Sequence, residues 1–203
     1  MKLRVSGLGA DWLGRPGSRS CAGRPRRAEC SVDMTGSHPS AHGSYLGPED
    51  GLSLDFGFSS LRVLLRAEDT GGAFGLTEQP LEPGALAGPL HTHANEIGFF
   101  YVLEGQIGVQ VGEQVIEAGP RSTVSVPAGL RHTFWNPATV PARVLEFFAP
   151  GGFERWFEEL AGLIADGNAD IDTIAESARP FGTEMAFESL PDLLERHSLH
   201  FPS

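Results

Sequence analysis

Two short segments constrain this chain more than any other feature. The first, PLHTHANEIGFFYVLEG (89–105), holds the pair His91 and His93 and runs on into a stretch typical of a β-strand. Side chains two residues apart on a strand point to the same face. The spacing therefore predicts that both imidazoles face one cavity.

The second segment, PAGLRHTFWN (127–136), begins with a rigid Pro-x-Gly turn and continues with His132. A folded β-barrel can bring this histidine opposite the first pair. Neutral imidazole is a good ligand for Fe, Zn, Mn, Ni and Cu, so three converging histidines predict one divalent transition metal without identifying it. A single strand histidine is more often a surface or hydrogen-bonded residue, and the prediction therefore depends on all three together.

The chain between residues 51 and 150 is a series of short strand-like segments separated by Gly and Pro. These segments are LRVLLR (61–66), AFGLTEQPL (73–81), GFFYVLEG (98–105), QIGVQV (106–111), QVIEAG (114–119), TVSVPAG, RHTFWN and ARVLEFFAP. Many short strands at even spacing indicate an all-β sandwich or barrel. We therefore predict a two-sheet antiparallel barrel.

The hydrophobic period changes to that of a helix after Pro150-Gly151-Gly152. Three segments then have helical periodicity: FERWFEELAGLI, IDTIAESA (171–178) and SLPDLLERH (189–197). The first of them puts a stripe of large apolar side chains on one face: Phe153, Trp156, Phe157, Leu160 and Ile164. We interpret this stripe as core packing and not as a cofactor site.

The N-terminal part of the chain differs from the rest in composition. Residues 1–33 are rich in Arg, Gly, Ser and Pro, and they hold seven Lys/Arg and three Asp/Glu, a net charge of +4. This composition predicts disorder, but a transit peptide and a true start at Met34 are open alternatives. The predicted organisation is a disordered basic head and leader (1–45), a barrel (46–150) and a C-terminal helical extension (151–203).

Charge and hydropathy limit the possible partners. The whole chain has a net charge of −11, so the residues after the head carry −15. A body that acidic repels phosphate backbones, which argues against a nucleic-acid partner. No apolar run is long enough to span a bilayer. Both cysteines, Cys21 and Cys30, lie in the head, so no disulfide framework is expected and a cytoplasmic location is predicted.

The two histidine segments together resemble the two signature motifs of the cupin superfamily. In the second segment Pro127, Gly129, His132 and Asn136 all stand at the offsets of the family motif. The resemblance extends over about residues 45–201 and is to small single-domain bacterial cupins of the quercetin-dioxygenase-like cupin 2 type. It implies a double-stranded β-helix (jelly-roll barrel), a metal held by the histidines, and a homodimer.

The chain departs from the family pattern at two positions. Gly98 stands where the family has a glutamate ligand, and Glu96 lies two residues earlier. If the strand is regular there, Glu96 shares its face and is a displaced metal ligand and catalytic base; otherwise it is a polar group at the rim. Arg121 replaces the leading glycine of the second motif, and Gly119 is expected to serve the turn in its place.

Strand alternation also predicts the wall of the cavity. If position 98 points inward, so do Phe100 and Val102. If His132 points inward, so do Phe134 and Asn136. These four residues would bind an apolar or aromatic organic substrate. The alternative is that they fill the barrel.

Three functions are compatible with these patterns. The first is a metal-dependent dioxygenase, cyclase or isomerase acting on a small organic molecule, with Glu96 or a hydroxide on the metal as the base. The second is a non-catalytic cupin that binds a small molecule and has a weak or empty metal site. The third is an interaction or scaffold protein that keeps the barrel for stability.

Overall fold

The structure is a computed structural model that describes residues 45–57 and 59–201. The predicted disordered head, residues 1–33, lies outside the described residues, as does Met34. The described part contains the predicted barrel and the C-terminal extension.

Eleven strands and three α-helices make up the described chain. The strands are β1 (Leu52–Asp55), β2 (Ser60–Leu65), β3 (Gly75–Leu81), β4 (Leu90–His93), β5 (Ile97–Glu104), β6 (Ile107–Val111), β7 (Gln114–Ala118), β8 (Thr123–Val126), β9 (His132–Trp135), β10 (Ala142–Ala149) and β11 (Thr183–Ala186). The helices are α1 (Glu154–Ala165), α2 (Ile171–Ala178) and α3 (Leu190–His197). Short 3-10 turns cover Ala67–Thr70, Arg179–Phe181 and Phe187–Ser189.

The strands form two antiparallel sheets. The six-stranded sheet has the order β1-β2-β3-β10-β5-β8, and the five-stranded sheet has the order β11-β4-β9-β6-β7. Neighbours in these orders are mostly distant in sequence, as expected when a jelly roll alternates between its two sheets. The predicted fold class, an all-β double-stranded β-helix with C-terminal helices, is confirmed.

The main core lies between the two sheets and follows the alternation of the strands. Phe100 and Val102 of β5 are fully buried, whereas Phe99, the residue before Phe100, is exposed on the outer face. The ring of Phe100 contacts that of Phe134, which comes from the opposite sheet, with ring centroids 4.7 Å apart. Two-residue alternation on both sheets therefore closes the barrel interior with apolar side chains.

The C-terminal extension covers the barrel from two sides. Helix α1 packs Phe157 and Leu160 against the cluster around Leu61. Helix α3 packs Leu193 against Trp135, whose side chain points away from the barrel interior. No helix among the described residues combines the length and the apolar character that crossing a membrane requires.

The extension is not purely helical, which differs from the prediction. Strand β11 lies between two 3-10 turns and pairs with β4, so that Thr183 faces His93 and Met185 faces His91. The segment Thr-Glu-Met-Ala is too short to show strand periodicity. Its conformation comes from pairing with the free backbone groups of β4, which would otherwise form an open edge.

The turn between β7 and β8 also differs from the prediction. Arg121 itself has φ 68°, in the left-handed region, whereas Gly119 does not have a positive φ. The Arg121 N–H donates to the Val102 carbonyl at 2.9 Å, and this bond holds the residue in place. Arg121 therefore occupies the glycine conformation of the motif, and Gly119 does not take over that role.

Candidate metal centre

The structure brings His91, His93 and His132 together at one end of the barrel. His91 and His93 lie on β4, and His132 lies on the neighbouring strand β9, directly opposite His91. The ring centroids are 4.2 Å apart for His91 and His132, 5.0 Å for His91 and His93, and 5.2 Å for His93 and His132. One nitrogen from each ring lies within 4.8 Å of the other two, and we call these residues the histidine group.

Backbone carbonyls fix the orientation of two of the rings. His91 Nδ1 lies 2.9 Å from the Pro89 carbonyl oxygen, and His132 Nδ1 lies 3.0 Å from that of Leu130. A carbonyl only accepts, so Nδ1 of each ring carries the hydrogen and donates it. The lone pair of a neutral ring is therefore on Nε2, the arrangement found when the second nitrogen binds a metal.

The third ring is oriented by the C-terminal extension. His93 Nδ1 contacts the Thr183 hydroxyl at 2.9 Å, and both residues are buried. His93 Nε2 is also buried and has no hydrogen-bond partner among the described residues. A buried polar atom without a partner is costly and requires an explanation, and a metal ligated by this nitrogen would provide one. Sequence reasoning missed Thr183 because its role depends on the pairing of β11.

Burial also sets the protonation of the group. Desolvation, with a smaller contribution from the neighbouring imidazoles, lowers the pKa of His93 to about 2 and that of His132 to about 3. The pKa of His91 is lowered as well, again mainly by desolvation. The three rings are therefore neutral at neutral pH, and this donor set of three imidazole nitrogens fits a divalent transition metal.

Glu96 lies apart from the histidine group. It immediately precedes β5, and the group of converging ligand atoms does not include it. Its Oε2 is buried without a hydrogen-bond partner among the described residues, and desolvation raises its pKa. Glu96 is thus buried, as Gly98 is, with the exposed Ile97 between them, and its role as a displaced metal ligand stays a prediction.

Aromatic rings stand beside the position of the missing carboxylate. Gly98 faces the barrel interior and pairs with Phe148 of β10. The His93 ring contacts Phe153 edge-on at 4.2 Å and lies 5.8 Å from Phe148. The histidine group is therefore flanked by apolar rings on this side.

A cavity of about 500 Å³ lies between the barrel and the C-terminal extension, and His91 is on its wall. We call it the aromatic cavity because aromatic and aliphatic side chains form most of its lining. The barrel contributes Phe56, Gln79, Phe134 and Glu146, and the extension contributes Phe153, Trp156, Phe157, Leu160, Ile164, Ile174 and Met185, among others. The volume is typical of sites for small organic ligands.

The apolar stripe of α1 has a role beyond the predicted core packing. All five of its members line the aromatic cavity, and Phe153 and Trp156 are also part of a buried cluster. A helix face that packs against a barrel and one that forms the wall of a cavity have the same sequence period. Periodicity could therefore not distinguish the two.

The four predicted substrate-binding residues are in different places. Phe134 lines the aromatic cavity, but Phe100 and Val102 belong to the closed barrel core. The side-chain amide of Asn136 donates to the carbonyls of Leu81 and Val140, so it holds a turn together. For Phe100 and Val102 the alternative interpretation applies, in which the residues fill the barrel.

Comparison with known proteins gives a match to part of the barrel. Residues 77–148, which include the whole histidine group, match the family model described as Cupin domain. These residues form a cupin domain. The matched segment runs from β3 to β10, and the C-terminal extension that supplies Thr183 lies outside it.

The cupin is similar to one curated protein over part of its length. It is 36% identical over 84 residues to the protein named Probable oxidoreductase virH of Hypocrea virens. The match covers 39% of this chain and 38% of the relative. The matched part is thus well under half of that relative.

Among solved structures, the cupin is similar to KdgF from Halomonas sp., at 15% identity and a TM-score of 0.48, over 56% of this chain and 99% of the other. It is also similar to an uncharacterised protein with a double-stranded β-helix domain from Klebsiella pneumoniae. That match has 18% identity and a TM-score of 0.42, over 47% of this chain and 80% of the other.

Proposed function

We propose that this cupin is a metal-dependent enzyme that acts on a small apolar or aromatic organic molecule, in a reaction of the dioxygenase, cyclase or isomerase type. The observation that carries the proposal is the orientation of the histidine group. Each of the three neutral rings uses Nδ1 for its hydrogen bond, so that Nε2 is left without one. One of the rings lines the aromatic cavity. A similar arrangement is hard to explain as packing alone, because His93 Nε2 would be left buried without a partner.

His91, His93 and His132 would hold the metal, one divalent ion of Fe, Zn, Mn, Ni or Cu. When bound, such an ion polarises a carbonyl or activates oxygen or water. The residues of the chain would orient the ligands and exclude water. Carbonyls fix two of the rings, the Thr183 hydroxyl fixes the third, and Phe153 and Trp156 shield the site from solvent.

The name of the curated relative agrees with an oxidative reaction. The probable oxidoreductase of Hypocrea virens shares 36% identity with 84 residues of this chain. Because the match spans only 38% of the relative, an oxidative activity of this chain is a proposal. A cyclase or isomerase would use the same polarisation of a carbonyl and is separated from a dioxygenase by measuring oxygen consumption.

The proposal is tested by the metal content of protein purified without added metal, measured per chain by elemental analysis. We expect close to one transition metal per chain, and we expect His93→Ala or His132→Ala to remove most of it. His200→Ala is the matched control, because His200 is an exposed histidine outside the group. Glu96→Gln should reduce the metal content less than either histidine change, because Glu96 is outside the histidine group.

Two outcomes would contradict the proposal. If neither histidine change alters the metal content, the metal is bound elsewhere. If the wild-type protein holds no metal and takes up none of the five candidate ions, the enzyme proposal is replaced by the non-catalytic alternative, in which the cavity binds a small molecule and the metal site is weak or empty.

A further inference from the structure

One carboxyl group in the aromatic cavity is not explained by the fold. Glu146 lies near the middle of β10, the strand at the centre of the six-stranded sheet, and is 4% exposed. Its side chain lines the same cavity as His91. In the described part of the chain it has no hydrogen-bond or ion-pair partner, and desolvation alone raises its pKa to about 8.

The ion pairs of this sheet are all on its other face. Arg143, three residues before Glu146, pairs with Glu78 and Glu104 on the outer surface. Thr77 pairs with Glu146 across the two strands, and its hydroxyl is also buried with no hydrogen-bond partner among the described residues. Two neighbouring polar groups are therefore left without partners in an apolar interior, which costs free energy unless a ligand contacts them.

The position of Glu146 relative to the histidine group follows from strand register. Phe148 pairs with Gly98, the position where the family pattern has its carboxylate, and Glu146 is two residues earlier on the same face of β10. Two residues along a strand span about 7 Å. Glu146 is not among the converging ligand atoms. Glu146 is therefore not a fourth member of the histidine group, although it lines the same cavity as His91.

We propose that Glu146 binds a hydroxyl group of the ligand, and that the ligand of the aromatic cavity is accordingly a hydroxylated aromatic or apolar molecule, such as a phenol or an enol. This rests on the proposed function only for the orientation of the ligand toward the histidine group. The Glu146 carboxyl accepts the hydrogen of the ligand hydroxyl, and the rings of Phe134 and Phe153 contact the ligand skeleton.

Charge selects the hydroxyl over the other polar groups that a carboxyl can bind. A ligand carboxylate would lose its hydration in an apolar cavity that offers no cationic side chain, which is unfavourable. A ligand ammonium would lose its hydration as well, and at neutral pH it would meet a carboxyl that keeps its proton and cannot neutralise it. A neutral hydroxyl meets neither penalty, and it satisfies a buried acceptor that otherwise has no partner.

The test measures binding of three probes that share one ring system and differ in a single group: 2-naphthol, naphthalene and protonated 2-(aminomethyl)naphthalene. Calorimetry on the wild-type protein should give a roughly tenfold preference for 2-naphthol over naphthalene, the effect of one hydrogen bond to an ionisable group in a desolvated site. Glu146→Leu should abolish the preference. Gln79→Leu is the matched control, because Gln79 is another polar residue of the cavity wall, and it should keep the preference within twofold.

Glu146→Gln is the second variant, which decides the question if Glu146→Leu does not fold. The amide keeps the size of the side chain but cannot give up a proton to become a carboxylate, the strong acceptor that a ligand hydroxyl favours, so the preference should fall severalfold. The proposal is overturned if the wild-type protein shows no preference for 2-naphthol, if Glu146 variants retain it in full, or if the ammonium probe binds more tightly than 2-naphthol.

The metal content of the same samples separates this inference from the proposed function. Glu146→Leu should keep the metal content of the wild-type protein, because Glu146 is outside the histidine group. A preference for 2-naphthol in protein that neither holds nor takes up a metal would support the hydroxyl site and contradict the enzyme proposal. Full metal content with no preference would do the reverse.

Discussion

Thr183 lies directly opposite His93 across the β11–β4 pair, and its hydroxyl is 2.9 Å from His93 Nδ1. The C-terminal extension thus supplies a contact that the barrel itself provides only for the other two histidines, through its own carbonyls. All three rings of the histidine group are held in orientation only when β11 is paired. Contacts of this kind fix the orientation of a metal-binding histidine ring.

Thr183→Val should weaken metal binding by about 10-fold to 100-fold, the usual effect of losing such a contact. The change removes the hydroxyl while keeping the branched shape, and it leaves His93 Nδ1 without its partner. Competition with a chelator of known affinity measures the change. Thr183→Ser retains the hydroxyl and should bind metal like the wild-type protein; a Thr183→Val protein with unchanged affinity would show that the contact does not position His93.

Assembly into a homodimer remains a prediction, and the outer face of the six-stranded sheet is where we expect the contact. Ile97 and Phe99 of β5 are exposed there, next to the edge strand β8. Light scattering at micromolar concentration should give twice the chain mass of 21.7 kDa. Phe99→Lys should shift the protein to monomer, whereas Val115→Lys, an equally exposed position on the other sheet, should not. A monomeric wild-type protein would show the prediction to be wrong.

The barrel could be predicted from the sequence because its signals are local. Alternation placed Phe100 inward and Phe99 outward, and the change of period after Pro150 marked the start of the helices. The histidine group could be predicted for the same reason. His91 and His93 share a strand face by spacing alone, and the Pro-x-Gly turn identified the strand of His132.

The rest of the site depends on pairing between distant segments. Glu146 alternates with Leu145 and Phe147 like any strand residue, and no local pattern indicates that it faces an apolar cavity without a partner. Thr183 depends on a four-residue strand that forms only against β4. The aromatic cavity lies between the barrel and the C-terminal extension. Sequence periodicity predicts which face of an element is apolar, but not whether two apolar faces pack closely or leave a cavity.

Arg121→Gly should raise the stability of the protein, by about 0.5–1 kcal/mol. Arg121 is exposed and has φ 68°, a conformation that costs a residue with a side chain about 1–2 kcal/mol, part of which is offset by the greater freedom of glycine in the unfolded chain. Gly119→Ala is the control. Its backbone is not in the left-handed region and an added Cβ would meet no atom within 4 Å, so stability should be nearly unchanged. Urea unfolding at neutral pH measures both variants; equal effects would show that the turn does not depend on Arg121.

Glu146 should make the stability of the metal-free protein fall as pH rises. Its pKa is about 8 in the folded protein and 4.5 at its ordinary value, so between these limits the folded state holds a proton that the unfolded state has lost. The contribution is fully present below about pH 4.5 and is lost as the pH rises through about 8.

Glu146→Gln removes this dependence because the amide does not titrate. The variant should therefore gain stability over the wild-type protein by up to about 1.4 kcal/mol for each pH unit between 5 and 8, and the difference should level off above pH 8. Urea unfolding of both proteins at pH 5, 6.5 and 8 measures it, and the histidine contributions cancel because both proteins contain the same histidines. Gln79→Leu changes a cavity residue that does not titrate, so its difference from the wild-type protein should not vary with pH. A Glu146→Gln difference that is equally flat would mean that the carboxyl reaches solvent or a partner in the folded protein.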